Sequence, residues 1–226
     1  PSHTLYNIIV LMGKPGGGTR PIALMPMIYR IWTKIRKPFL MEWEASTVGD
    51  WDAAIKGSSA LRAALLSQIH DEIAHYSDKE RGAILLDMAK FYDNIDICIL
   101  VKEAIKCGYP ATMIALGMQM HMAIRGLKAY NTHPGQVLPA NGIIAGCTQS
   151  TYYSKVYIGK IMDHYYHQWC HEQMIHERHL RGFIDDIRVS VRAKGEEAVT
   201  TLLSHIGGAV GTAPVSYTHL TLPTKA

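Results

Sequence analysis

The sequence predicts an α+β chain in which antiparallel strands are backed by helices, and three observations carry that prediction. Two stretches, NIIVLMGKPGGGTRPIAL (residues 7–24) and LRGFIDDIRVSVRA (180–193), place apolar runs on either side of a turn, as β-hairpins do. AILLDM (83–88) is an apolar run of strand length that ends on a carboxylate and a methionine. The segments between them repeat apolar residues at helical spacing.

Taken in order, the first hairpin has a strand over Ile8 to Met12, a glycine turn at Gly16, Gly17 and Gly18, and a second strand over Ile22 to Leu24. Lys14 and Arg20 stand at its two shoulders. The segment MIYRIWTKIRKPFLMEW (27–43) reads as a helix with Ile28, Ile31, Trp32 and Ile35 on its inner face and cations on the other, bent or ended by Pro38. After a turn-rich stretch, Ser58 or Ser59 can cap a helix running to about His75, with Leu61, Leu65, Leu66 and Ile69 along one face. SDKERG breaks the pattern and AILLDM follows as a buried strand ending at Asp87. A helix over 95–107 is stopped by Gly108 and Pro110. The next, over 111–126, carries Met113, Met118, Met120 and Met122 as flexible packing. A polar hairpin spans about Leu127 to Leu138, a glycine-marked loop leads into a long helix, and GEEAVTTLLSHIGGAV gives the last helix after the Asp185–Asp186 hairpin.

Composition narrows the function classes. With 226 residues, 48% apolar and 19% charged, the chain can bury a sizeable core. No apolar run approaches the roughly 18 residues a membrane span needs, and no charged leader followed by an apolar segment opens the chain. Cys98, Cys107, Cys147 and Cys170 form no pair at metal-ligand spacing, which fits buried, reduced thiols in an intracellular protein, nuclear or cytoplasmic. The formal charge is only +4, but no acid precedes Glu42 while Lys14, Arg20, Arg30, Lys34, Arg36 and Lys37 all do, so that segment is expected to face an anionic partner. The chain opens at Pro1 without methionine and is expected to be a fragment. Residues 215–226, beginning VSYTHLTLPT, read as the translation of a sequencing adaptor and are set aside from the fold.

Three carboxylates stand out: Asp87 at a strand end, and Asp185 and Asp186 at a hairpin tip. Adjacent acids repel and lose water, so they need a compensating partner. If the two strands are neighbours, the acids converge, and divalent cations can offset the repulsion. Mg²⁺ fits a site with few protein carboxylates completed by substrate phosphates, and Mn²⁺ is the other candidate. An Asp-Asp pair in a solvated type I′ turn is the alternative. His164, His167 and His171 fall on one helical face near Cys170, His176 and His179, but lack a zinc site's spacing and are read as a polar helix end. Gly16 to Gly18 lack the Gly-Lys-Ser/Thr ending of a phosphate-binding loop and are read as a flexible tip.

Four motifs, in order, resemble the reverse transcriptase family. LLDMAKFYDNI resembles its first palm motif, D-x-x-K-A-F-D; NGIIAGCTQST resembles its glycine-containing second motif; FIDD resembles its aromatic-x-Asp-Asp box; and GKPGGGTRPI resembles its fingers hairpin ending in Arg-Pro-Ile. Together they cover about Ile8 to Pro214, and the RPI followed by an aromatic-containing helix is most similar to non-LTR (LINE-like) retrotransposons.

The resemblance implies a right-hand polymerase. Fingers are expected over 1–81 and 110–145 and an antiparallel palm over 82–109 and 146–214, with the thumb beyond the segment. It implies Asp87 and Asp185 as paired metal ligands with Asp186 beside them, and Lys14 and Arg20 on the incoming triphosphate. Tyr92 would crowd the sugar 2′ position and favour deoxynucleotides, and Gly142 and Gly146 would admit nucleotide and template close to the backbone. The implied partners are an RNA template, a DNA primer and deoxynucleoside triphosphates. The chain departs from the pattern at Ala145, where the family has Gln, at Thr151, where it has Pro, and at Phe91, where it has Ala. An RNA-directed RNA polymerase, or a decayed retroelement remnant that at most binds nucleic acid, are the competing readings.

Overall fold

The computed structural model describes residues 5–88, 90–129, 132–171, 177–211 and 217–221. These fall into two compact units, one drawn from 1–48 and 90–158 and the other from 49–89 and 159–226.

In the first unit, β1 (Tyr6–Gly13) and β2 (Thr19–Leu24) form the expected hairpin, with Met12 opposite Arg20 and Gly13 opposite Thr19. Its turn needs glycine: Gly17 and Gly18 have φ of 90° and 81°, a region closed to most side chains. Helix α1 (Met27–Thr47) follows and runs through Pro38 to Thr47. Pro38 breaks one helical hydrogen bond, yet the helix continues because its far half is anchored. Leu40 and Trp43 are buried, and Trp43 Nε1 donates to the Cys107 carbonyl at 3.0 Å. The buried stripe is Tyr29, Thr33, Leu40 and Trp43, with Trp32 partly buried beside it. The expected inner face is thereby corrected, since Ile28 and Ile35 are about 70% exposed.

Helices α3 (Phe91–Asn94), α4 (Ile97–Lys106) and α5 (Ala111–His121) come next, with Asp96 capping α4 by accepting from the Ile99 amide at 2.9 Å. Strands β4 (Ile124–Ala129) and β5 (Thr132–Val137) make a second hairpin, and β4 lies parallel to β1, giving the sheet order β2-β1-β4-β5. A core of Ile9, Ala23, Met25, Tyr29, Met120, Ile144 and Cys147 joins this sheet to α1 and α5. Met113, Met118 and Met120 are buried, as packing residues should be. Helix α6 (Ser150–His171) begins in this unit, where Tyr153 is wholly buried. Gly117 of α5 is obligatory there, because a Cβ would overlap the Tyr153 hydroxyl.

In the second unit, Ser59 caps α2 (Ala60–Tyr76), its hydroxyl accepting from the Arg62 amide at 3.1 Å. Only Ala74 of α2 is buried; Leu61, Leu65 and Ile69, expected to face inward, are exposed, Leu61 to 79%. Polar contacts tie the helix down instead, among them an ion pair of 2.8 Å between Asp71 and Arg188. Strand β3 (Glu80–Met88) starts three residues before the apolar run, and Gly82 within it lets another helix approach. A Cβ there would lie 2.6 Å from Leu203 and 2.8 Å from Val199 of α7 (Glu196–Gly211). With β6 (Glu177–Phe183), β7 (Asp186–Ala193) and β8 (Tyr217–Thr221) it forms a sheet of order β6-β7-β3-β8 in which each neighbouring pair is antiparallel. β8 comes from the tail set aside above and pairs along the open edge of β3, which offers unpaired backbone groups to an extended segment. Among the described residues no helix is long and apolar enough to cross a membrane.

Candidate active site

The acidic site is built wholly within the second unit. On β3, Gly82, Ile84, Leu86 and Met88 are buried, so the alternation of a strand turns Asp87 to the opposite, exposed face. Antiparallel register places Asp186, the first residue of β7, directly opposite Asp87, and residues so paired share a face. β6 and β7 are joined by a two-residue turn, Ile184 and Asp185, closed by the Phe183–Asp186 pair.

Ile184 has a φ of 62°, which a β-branched residue adopts only at a cost on the order of 1–3 kcal/mol. Asp185 does not share the positive φ, so the turn is not the type I′ of the alternative reading, which needs it at both positions. Strain of this kind persists where the surrounding structure holds it, here the ladders on both sides of the turn.

The electrostatics match the geometry. Burial, then the charges of Asp185 and of Asp87, hold the Asp186 carboxyl above the usual aspartate range. Asp186 therefore feels both of the other acids, although the register gives Asp87 the second aspartate as its direct partner rather than the first. Beside Asp87 and Asp186 lies a cavity of about 360 Å³, walled by Ala64 and Ser67 of α2, Leu85 of β3, and Arg181 and Arg188 of the hairpin. Among the described residues no group of three or more His, Cys, Asp or Glu is gathered to enclose an ion. His176 lies outside the described residues, and His164 and His167 join no metal cluster among them.

The residues expected to bind nucleotide lie in the first unit. Lys14 and Arg20 are exposed on the same hairpin end, where the Lys14 amide donates to the Gly18 carbonyl at 3.1 Å. Tyr92 is half-buried in α3, and its carbonyl accepts from the Ile143 amide at 2.8 Å. That bond belongs to the loop of Gly142 to Gly146. Gly142 has a φ of 79° and rests on α3 so closely that a Cβ would stand 2.7 Å from the Asp93 carbonyl oxygen. Gly146 has a φ of 96°, and the neighbouring Ala145 carbonyl accepts from the Ala23 amide of β2 at 3.4 Å. The structure thus gathers Tyr92, both glycines and the strand of Arg20 around one loop. Gly142→Ala combines a forbidden φ with a backbone clash. It will destabilise the first unit by about 2 kcal/mol or more in urea unfolding.

One residue of this loop's surroundings drew no notice in the sequence. His121, at the end of α5, is fully buried and its Nδ1 accepts from the Ile144 amide at 2.9 Å, while the Ser150 hydroxyl donates to the Ile144 carbonyl at 2.6 Å. A lone histidine inside the apolar run MQMHMA was the available signal. Burial, with the Arg125 charge adding to it, pushes the imidazole down from 6.5 to about 3. The unfolded histidine protonates near pH 6.5, the folded one only near 3. Its contribution to stability is therefore complete above pH 6.5 and is lost as the pH falls toward 3, on the order of 5 kcal/mol in all. Urea midpoints will fall with pH through that window, and His121→Asn will flatten the slope.

A family model described as reverse transcriptase (RNA-dependent DNA polymerase) matches residues 12–210, most of the chain and all the motifs above. The chain belongs to this family. Solved structures similar to this family member include telomerase from Candida tropicalis truncated from its C-terminal domain, at 10% identity and a TM-score of 0.65, covering 100% of this chain and 52% of that one. Telomerase from Candida albicans in complex with a TWJ fragment of telomeric RNA is similar at 11% identity and a TM-score of 0.63, covering 100% of this chain and 43% of that one. Apo telomerase from Candida tropicalis is similar at 10% identity and a TM-score of 0.67, covering 97% and 44%. At such identities the likeness is one of fold, the palm and fingers architecture of mixed strands and helices, and the chain spans about half the length of these structures. Compared by sequence with curated proteins, it has no match.

Proposed function

We propose that this chain is the polymerising core of an RNA-directed DNA polymerase of non-LTR retrotransposon type, adding deoxynucleotides to a primer 3′ end by two-metal phosphoryl transfer. The observation that carries the reading is the pairing of Asp87 with Asp186 across one sheet, with Asp185 in the adjoining turn, where partial burial and then the charges of Asp185 and Asp87 raise the Asp186 carboxyl. Like charges held this way on an exposed face fit a site that a divalent cation completes. Asp87 and Asp185 would hold Mg²⁺, with Asp186 beside them. Two such ions, when bound, favour the deprotonated attacking hydroxyl and neutralise the leaving oxygen.

The chain's own residues do the rest by positioning and charge. Lys14 and Arg20 take the negative charge of the triphosphate and its departing pyrophosphate. Tyr92 stands against the sugar's 2′ position, and Gly142 and Gly146 let the backbone close on the nucleotide. Template and primer are held mainly through phosphates and hybrid shape, so binding is largely sequence-tolerant. RNA in complex with one telomerase of similar fold supports an RNA partner. In this reading 1–81 and 110–145 are fingers and 82–109 and 146–214 are palm.

The test is primer extension on an RNA template by the complete protein, with deoxynucleotides and ribonucleotides in parallel. Deoxynucleotides will be preferred, and Tyr92→Ala will raise relative ribonucleotide use by about tenfold or more, the effect of opening a steric gate. Equal use of both by the unmodified chain would assign it as an RNA-directed RNA polymerase. No extension, with nucleic acid still bound, would mark it as an inactive remnant.

A further inference from the structure

The Gly142–Gly146 loop is held from two sides. On one, the Gly142 and Ile143 amides donate to the Ile95 and Tyr92 carbonyls at 3.0 and 2.8 Å. On the other, Ile144 is gripped at both its polar atoms, its amide by His121 Nδ1 and its carbonyl by Ser150. His121 is itself fixed. Its ring stands at 80° to that of Tyr153, centroids 5.2 Å apart, and its carbonyl accepts from Arg125 at 3.1 Å. The preceding carbonyl, of Met120, accepts from the side-chain Nδ2 of the buried Asn7 at 2.8 Å.

Because Nδ1 accepts a backbone N–H, the imidazole is neutral and carries its proton on Nε2. That Nε2 is buried with no hydrogen-bond partner among the described residues. An unpaired buried donor is a penalty that an apolar side chain of similar size would avoid. The one polar bond the ring makes is the one to the loop, so the loop is what a histidine supplies here and a leucine would not.

We propose that His121 is a positioning residue for the nucleotide: it sets the Gly142–Gly146 backbone against Tyr92 and so shapes the deoxynucleotide site. This rests on the function proposed above, and the experiment separates the two. Hydrogen exchange of the loop amides and the deoxynucleotide KM in primer extension are measured for the unmodified chain and for His121→Leu, His121→Asn and His121→Gln.

In His121→Leu the Ile144 amide will exchange about tenfold faster, as loss of one buried hydrogen bond predicts. The deoxynucleotide KM will rise by a similar factor, while the KM for primer–template stays within about twofold. His121→Asn, whose Oδ1 occupies the position of Nδ1, will restore both. His121→Gln, whose acceptor lies one bond farther out, will not. Loop exchange as slow in His121→Leu as in the unmodified chain overturns the anchor, as does rescue by Gln equal to rescue by Asn. Faster exchange with an unchanged deoxynucleotide KM overturns the link to nucleotide binding. If His121→Leu loses protection throughout, the Asn and Gln pair decides. If the unmodified chain extends no primer, the proposed function fails while exchange still decides the anchor.

Discussion

Asp185→Asn will abolish primer extension on an RNA template, by about a thousandfold or more, and will leave the chain folded. The substitution keeps shape and removes one of the two negative charges that, after partial burial, raise the Asp186 carboxyl. With less charge to offset, the site holds a divalent cation more weakly, and the transition-state stabilisation the cation supplies is lost with it. The same argument predicts the opposite effect on stability. A carboxyl raised above its unfolded value favours the folded state below that value, and loses this as the pH rises through the folded pKa. At neutral pH, without a cation, the acidic site therefore opposes folding, and removing the Asp185 charge relieves it. In chelator, Asp185→Asn will melt at a higher temperature than the unmodified chain. Millimolar Mg²⁺ will raise the melting temperature of the unmodified chain and leave that of the variant nearly unchanged. Retained extension would refute the catalytic role, and an equal response to Mg²⁺ would place the cation elsewhere.

Much of this site was readable because it depends on local pattern. Asp87 ends an apolar run of strand length, and the alternation around Asp185 and Asp186 forces a hairpin whatever else the chain does. The Ser59 cap is likewise local, one hydroxyl meeting one amide three residues on. What local pattern leaves open is which face meets a neighbour. On α1, Ile28, Ile31 and Ile35 lie about one residue's rotation from Tyr29 and Thr33. Packing of Tyr29 into a cluster with Ile9, Met120, Ile144 and Cys147, on other elements or far along the chain, selected the second stripe. The parallel pairing of β1 with β4 escaped for the same reason, being a contact across more than a hundred residues. The direct partner of Asp87 needed the turn's length: a two-residue turn puts Asp185 within it and leaves Asp186 to begin the ladder. His121 was hidden among apolar neighbours, and only the fold of the glycine loop gives its ring a bond to make.

Glu44→Ala will cost about 3–5 kcal/mol of the first unit's stability in urea unfolding, the range for removing one partner of a buried ion pair. Glu44 of α1 and Lys155 of α6 meet at 2.5 Å with side chains only 11% and 4% exposed, although 111 residues separate them. Water is too scarce there to solvate the ammonium that Glu44 now balances. Glu44→Leu combined with Lys155→Met takes both charges away, and will recover most of the loss or exceed it, because the gross attraction of such a pair is nearly cancelled by desolvation. A cost under about 1 kcal/mol for the single change would show the pair to be solvent-screened. The position of Glu44 adds a local consequence. It lies beyond Pro38, in the half of α1 that has lost a helical bond and depends on Leu40, Trp43 and this ion pair to stay wound. Hydrogen exchange in Glu44→Ala will therefore accelerate first between Phe39 and Thr47, while the turns before Pro38, held by Tyr29 and Thr33, keep their protection. Uniform acceleration along α1 would mean that the proline does not divide the helix energetically.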